Sequence, residues 1–543
     1  MDMGTAEGTH IRAYIECLRI SKILYPIFKP FSQCYFYFWR GLFWSLNSFR
    51  KRQRVQLCVE DEDPLLFISA TEAARRIREG ETTSSQLVNA YIERIGRVNG
   101  IINAVVQDNY SAARVCAQEI DDYLHGLDKT SEEFANLAKT KPLLGVPFTA
   151  KDNILIKGFL CTAGVPCRKD APPCTEDAEC VTRLKESGAI LLAVTNVPEL
   201  AIWWETSNSI YGRTNNPYDL RRIAGGSSGG ETALLASAGS VIGLGNDLAG
   251  SLRLPASLCG VFGLKPGPGV IPSSGIFPPI TGKGHIVQMC TAGPLCRYAE
   301  DLPLLLRVLA GNETVDKQLR LSEPVDFTKV RVFYMEHLHQ LFCEDVDTTQ
   351  KRSVRKTVDF LTSKFGVPAE PADLQLAHHA LEMFVISFDQ ADYPKLTEAM
   401  ADYKVSVVKL ESSQLPHPGQ KIKQVMNSKR DQLRSEIIEM LGEDGILLFP
   451  SFATVAPFHN HGVWTPFNFI YNALWNTLGL PALSCPLGLS SKGMPTAVQI
   501  IGSPNSERLL IAAAKQLEVG FGGWTPPGDH NLKSVESTNL LNA

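Results

Sequence analysis

Thirteen cysteines occur in the 543-residue chain without a single CxxC pair, scattered from Cys17 to Cys485. That spacing excludes a zinc ribbon and a dense disulfide framework, so free thiols are the expectation. A basic excess is also missing. Fifty-three lysines and arginines face 57 aspartates and glutamates, a formal charge of −4, which removes the electrostatic footprint of a nucleic-acid binder. No repeat of fixed period and no low-complexity tract is visible. His459 and His461 form a pair without a third ligand cluster, and the adjacent His378 and His379 point in different directions on a helix, so no metal is expected. What is present is a globular composition, 44% hydrophobic and 20% charged, in a chain long enough to bury a large core.

Residues 10–54 differ from the rest. The aromatic stretch PFSQCYFYFWRGLFWSLNSF ends in the basic run RKRQR, Arg50 to Arg54. Between Pro30 and Phe49 the one charge is Arg40, and twenty residues are enough to cross a bilayer, although an arginine at its centre costs about 2.5–3.5 kcal/mol. Three readings stay open: a span, an interfacial aromatic and basic anchor, and an amphipathic segment packed on the protein's own body. A cleaved signal peptide fits poorly, because the apolar stretch begins late and no small-residue cleavage site follows. Basic residues flank both sides, so sidedness stays open.

Beyond residue 60 the pattern becomes regular. Ser69 to Glu72 and Thr83 to Gln86 are capping boxes that open two helices, the first ended by Gly80 and the second carrying Leu87, Tyr91, Ile95 and Val98 on one stripe. Apolar runs at 145–150, 189–194, 240–245 and 445–450 read as strands separated by helical segments, which argues an α/β fold. Residues 370–440 read as helical and peripheral, covering or lining a pocket.

The chemistry concentrates in residues 222–270, dense in glycine and serine and bracketed by hydrophobic segments. Glycines serve where backbone approaches something closely or takes a positive φ, and paired serines among them suggest hydroxyl chemistry. GGSSG contains a nucleophile-elbow pattern but lacks the buried strand that should precede it. A phosphate loop needs a GK[ST] ending, and Glu231 follows the last glycine instead. The third reading joins Ser227, Ser251 and Lys151. Lys151 follows GVPFTA at a strand end, and lowering a buried lysine toward 7 costs about 4–5 kcal/mol while making it a base.

Lys151 in GVPFTAKDN, the GGSSGG cluster and DLAGSLRLP together resemble the amidase signature family of serine hydrolases, and the wording of ELAIWWETSNSIYGRTNNPYDL and GPLCRYAEDL is most similar to the type 2 fatty-acid amide hydrolases within it. The resemblance covers roughly residues 65–525. It implies a catalytic triad of Lys151, Ser227 after a cis peptide bond, and the nucleophile Ser251. Neutral Lys151 takes the Ser227 proton, Ser227 takes that of Ser251, and Ser251 forms an acyl-enzyme. No histidine lies between His125 and His285, which agrees. The oxyanion hole is expected from the backbone N–H groups of Leu248, Ala249, Gly250 and Ser251. Asp247 and Arg253 pair to brace that loop, Ser228 hydrogen-bonds within its turn, and Trp203 and Trp204 either line an acyl channel or pack.

Two departures stand out. Ala249 replaces a glycine before the nucleophile and Asn246 stands where serine or threonine is usual. If position 249 needs a positive φ, the methyl group costs about 1 kcal/mol and weakens the oxyanion hole. The expected organisation is a membrane-associating segment over 1–60 and an amidase domain over 65–530, with a large, mixed, mostly parallel sheet covered by helices on both faces. The expected activity is hydrolysis of long-chain N-acyl amides without a cofactor, at the endoplasmic reticulum or another endomembrane. Its partners are a lipid amide, a membrane through residues 10–54 and no nucleic acid, with a homodimer left open. The alternatives are an amidase or esterase of small acyl or aryl substrates, a glutamine-hydrolysing subunit acting in tRNA amination, and a catalytically silent acyl-amide binding protein.

Overall fold

The computed structural model describes residues 28–57, 59–279, 284–338, 340–389 and 419–528. The stretch 10–27 of the N-terminal segment, most of LPHPGQK and the last residues of FGGWTPPGDH lie outside them.

Both capping hydroxyls open helices, the second within a complete capping box. Ser69 Oγ accepts from Glu72 N at the start of Ala70–Glu79, which Gly80 ends in the left-handed conformation. Thr83 and Gln86 cap Ser84–Ile102 reciprocally. The four apolar runs are strands Pro147–Lys151, Ile190–Thr195, Ile242–Asp247 and Gly445–Pro450.

These strands belong to one 11-stranded sheet. In spatial order it runs Val105–Asp108, Ile190–Thr195, Pro147–Lys151, Ile242–Asp247, Thr291–Cys296, Phe262–Lys265, Ala482–Leu489, Pro495–Gly502, Gly445–Pro450, Arg331–Tyr334, Ala369–Pro371. The sheet is mixed, and parallel pairing occupies two patches. Pro147–Lys151 is parallel to both its neighbours, as is Arg331–Tyr334. The strands between these patches pair antiparallel.

Both faces of the sheet are covered, which alternation along one strand shows directly. Ile446 and Leu448 join one core cluster with the helix Glu507–Phe521. Leu447 and Phe449 point the other way into a second cluster with the helices Ile470–Thr477 and Gln420–Leu441. The parallel patch around Pro147–Lys151 positions the site, since parallel strands bring their carboxyl ends to the same edge, where α/β proteins place their ligands.

The membrane span considered for 30–49 is not borne out. No helix among the described residues is long and apolar enough to cross a membrane. Residues 28–48 form an amphipathic helix lying on the body. Arg40, the charge that made a span costly, pairs with buried Glu344 at 2.8 Å, and Lys29 pairs with Asp345 at 2.8 Å. Trp39 stacks on Trp464 with centroids 3.5 Å apart, and Phe43 meets His461 edge-on. The opposite face presents Phe31, Phe38 and Trp44 to solvent at 70%, 63% and 62% exposure.

Removing both anchors with Trp39→Ala and Arg40→Ala should loosen this helix by about 1–2 kcal/mol. Limited proteolysis is then expected to cut after the exposed Arg50 and Lys51 faster, with a modest fall in melting temperature because buried Glu344 loses its cation; equal cutting rates would show that other contacts hold the helix.

Candidate active site

Lys151 ends a strand buried along its whole length and is itself fully buried. Ser227 occupies the turn before the helix Gly229–Ala236. The glycines of that turn meet the requirement set by the sequence: Gly225 has φ +92°, and a Cβ there would sit 2.5 Å from Pro255 Cα, while one on Gly226 would meet the Trp203 carbonyl at 2.5 Å. The Gly226–Ser227 peptide is cis.

The three expected groups form one chain. Lys151 Nζ lies 2.8 Å from Ser227 Oγ, and Ser227 Oγ lies 2.8 Å from Ser251 Oγ. The relay is graded in depth: Lys151 and Ser227 are buried, whereas Ser251 is partly open to solvent. Burial lowers Lys151 to about 7, against the upward pull of Cys290, Asp247 and Glu231. Near neutral pH a large fraction of Lys151 is therefore an amine with a free lone pair.

Two residues without an assigned part in the sequence reading shape that lysine. Asn246 Oδ1 accepts a hydrogen bond from Lys151 Nζ at 2.6 Å, which orients the amine. Glu231, one helical turn past the serines, accepts from Thr149 and Thr195 hydroxyls at 2.7 Å each. Burial pushes its carboxyl up to about 8, so it is mostly neutral at pH 7 and its upward pull on Lys151 is weaker than that of a carboxylate. Asn246 was visible in the sequence only as a departure, and Glu231 only as the residue that excluded a phosphate loop.

Asp247 and Arg253 are brought together, with Arg253 Nε donating to Asp247 Oδ2 at 3.0 Å in full burial. Burial raises the Asp247 carboxyl, but Arg253 overrides it and holds the group well below the usual carboxylate range. Asp247 also accepts from Leu252 N at 3.1 Å and from Asn476 Nδ2 at 2.9 Å. Arg253 reaches Gln499 and Asn476. Gln499 lies in MPTAVQIIG, a segment legible only as part of the resemblance.

The oxyanion expectation needs one correction. Gly250 N–H donates to Asp247 Oδ1 at 2.7 Å and is not a free donor. The N–H groups of Leu248, Ala249 and Ser251 make no hydrogen bond among the described residues. The φ concern at Ala249 also disappears: the left-handed position is Gly250, at φ +115°, and Ala249 has no positive φ. Its methyl group packs toward the second core cluster. Ser228 is a second correction. Its buried hydroxyl finds no partner among the described residues, because it faces Gly245, where a Cβ would stand 2.9 Å from Ser228 Oγ.

Trp204 is 3% exposed and packs on Phe452 behind the serine turn; Trp203 is partly buried and stacks on it. The histidine pair is structural. His459 lies 2.8 Å from Glu205, and His461 is buried beneath the N-terminal helix. No group of potential metal ligands forms among the described residues.

With this geometry in place, comparison is informative. Residues 86–511 match the amidase family. Human fatty-acid amide hydrolase 2 is 38% identical over 497 residues, covering 86% of this chain and 91% of that protein. Fatty-acid amide hydrolase 2-A of Danio rerio is 37% identical over 523 residues, covering 91% and 96%. The solved structure of 6-aminohexanoate cyclic dimer hydrolase superposes with a TM-score of 0.70 at 25% identity, covering 85% of this chain and 99% of that one.

Gly250→Ala should cost about 2 kcal/mol or more, because it strains a left-handed position and drives a Cβ to within 2.4 Å of Asn472. Ala249→Gly should change stability by less than about 1 kcal/mol. Denaturant melts test the contrast, and a fluorophosphonate should label Ser251 in the second variant but poorly in the first. Matching behaviour would mean that position 249, too, governs the loop. The chain belongs to the amidase signature family and is an amide hydrolase.

Proposed function

We propose that the chain hydrolyses long-chain N-acyl amides through the relay Lys151, Ser227, Ser251. The carrying observation is the unbroken chain of 2.8 Å contacts from a buried lysine to a partly exposed serine. Neutral Lys151 accepts the Ser227 proton while Ser227 accepts that of Ser251. Ser251 Oγ attacks the acyl carbonyl, and the developing oxyanion is received by the free N–H groups of Leu248, Ala249 and Ser251. The proton returns through Ser227 to the leaving amine. Water then repeats the attack on the acyl-enzyme and releases the fatty acid.

Two observations support a lipid substrate. The similar proteins carry the name fatty-acid amide hydrolase 2. The outward aromatic face of the helix at 28–48 also continues into the exposed Arg50 and Lys51, a combination suited to lying in the interface of an anionic membrane, where an acyl amide is concentrated.

Lys151 must be neutral to act, so kcat/KM should rise with pH through about 7 and level off above it. Lys151→Arg, which stays protonated, should lose about 10²–10⁴-fold. A flat profile between pH 6 and 8 would remove lysine from the role of base.

The same burial affects stability. Folded Lys151 holds its proton less tightly than the unfolded chain does, so the penalty is absent above about pH 10.5 and grows as the pH falls toward 7. Lys151→Met should therefore be inactive yet melt at higher temperature at pH 7, by about 1–3 kcal/mol of stability. An inactive and less stable variant would count against the neutral lysine.

The substrate class is tested with acyl ethanolamides of increasing chain length, using detergent-purified wild type and Ser251→Ala. Turnover is expected to rise with chain length and vanish in the variant. Preference for the shortest acyl groups would point instead to small amides.

A further inference from the structure

Two thiols meet in the loop that follows Lys151. The chain passes Asp152 and folds back so that Gly158 N–H donates to the Cys174 carbonyl at 2.9 Å and Cys174 N–H donates to the Phe159 carbonyl at 2.8 Å. This pairing closes residues 158–174 on themselves and sets Cys174 beside Cys161, two residues beyond Phe159. The pairing places the two thiols as neighbours, close enough for each to perturb the other.

The two are unequal. Cys161 is 3% exposed, with its Sγ 3.8 Å from the Asp152 carbonyl oxygen, while Cys174 is partly exposed. The neighbouring Cys161 thiol brings the Cys174 thiol down to about 6, helped by the Arg168 guanidinium against partial burial. The same contact, with burial, pushes the Cys161 thiol up. Arg168 is held in place, its Nε donating to the Cys161 carbonyl at 2.8 Å and its guanidinium lying over the Phe277 ring at 3.9 Å. A partly exposed thiol and a buried thiol on one closed loop, with a guanidinium anchored between them on the Cys161 carbonyl, form the arrangement of a nucleophilic cysteine and its resolving partner.

We propose that Cys174 and Cys161 form a reactive dithiol, with Cys174 the nucleophile toward peroxides and other soft electrophiles and Cys161 the resolving thiol that closes an intramolecular disulfide. With hydrogen peroxide, the Cys174 sulfur attacks one oxygen, the O–O bond breaks, and hydroxide leaves a sulfenic acid behind. The Cys161 sulfur then attacks that of Cys174, the S–O bond breaks, and hydroxide departs with the Cys161 proton as water. Two thiols lose two electrons, and one peroxide becomes two waters. The crosslink ties the loop to the backbone directly after Lys151, since Thr162 and Ala163 hydrogen-bond Asp152.

The test uses the full chain, reduced and then freed of reductant. At pH 6, pulse alkylation with iodoacetamide should modify Cys174 about tenfold faster than the exposed Cys34 and Cys167, because its larger thiolate fraction outweighs its lower intrinsic nucleophilicity. At pH 9 that order should reverse. After hydrogen peroxide, trypsin should release residues 158–168 joined to residues 170–183, with fragmentation placing the bond between Cys161 and Cys174, and dithiothreitol should restore alkylation. Cys161→Ala should slow Cys174 at pH 6 and divert peroxide to sulfinic acid. Ser251→Ala should behave like wild type, which separates the thiol chemistry from hydrolysis. Alkylation of Cys174 no faster than Cys34 at pH 6, or peroxide products without the 161–174 bond in wild type, would overturn the proposal, and both readings need no variant to fold.

Discussion

The site depends on removing one ammonium group from water. Lys151 sits where the strand Pro147–Lys151 runs out, walled by parallel neighbours on both sides, and its burial leaves it near 7. A solvated lysine stays protonated at neutral pH and cannot take a proton from a serine. The surroundings preserve that condition, with Glu231 kept largely neutral by its own burial and Asn246 accepting one N–H. Burying the group costs the chain stability, and in the proposed relay that cost holds the base.

The second requirement of the proposed relay is a rigid loop beside Ser251, and Asp247 supplies it. Its carboxylate draws in Gly250 N, Leu252 N and Arg253, which curls the chain after strand Ile242–Asp247 and leaves the neighbouring N–H groups unpaired. That curl explains why Gly250 is held as a brace and not offered as a donor. Arg253 extends the bracing to Asn476 and Gln499, more than 220 residues away in the chain. Such an ion pair, fully desolvated, is stable because nearly every lone pair and proton in it is matched.

The N-terminal helix belongs to the same body. It contacts the segment 461–464 through Trp39 and Phe43; within that segment a Cβ on Gly462 would lie 3.0 Å from the Trp204 ring. Trp204 in turn backs the serine turn. One face of the helix is thus coupled by packing to the wall of the site, while the other carries exposed aromatics. The thiol pair after Lys151 shows the same economy of position, since both sulfurs hang on backbone that leaves the catalytic strand.

Much of this was legible in the residues. Capping hydroxyls at Ser69 and Thr83 start helices because they satisfy local N–H groups, and local chemistry needs no tertiary partner. The glycine pattern around Ser227 and the strand before Lys151 were likewise readable, and the family resemblance pointed to Ser251. Tertiary structure alone decided the rest. Whether 28–48 spans or packs depended on a distant acceptor, Glu344, for Arg40. The antiparallel centre of the sheet, the φ at Ala249, the loss of Gly250 as a donor and the parts played by Asn246, Glu231, Asn476 and Gln499 all depended on non-local pairings. Sequence encodes periodicity and local capping through neighbours in the chain, whereas desolvation and long-range hydrogen bonds exist only once remote segments have closed around a group.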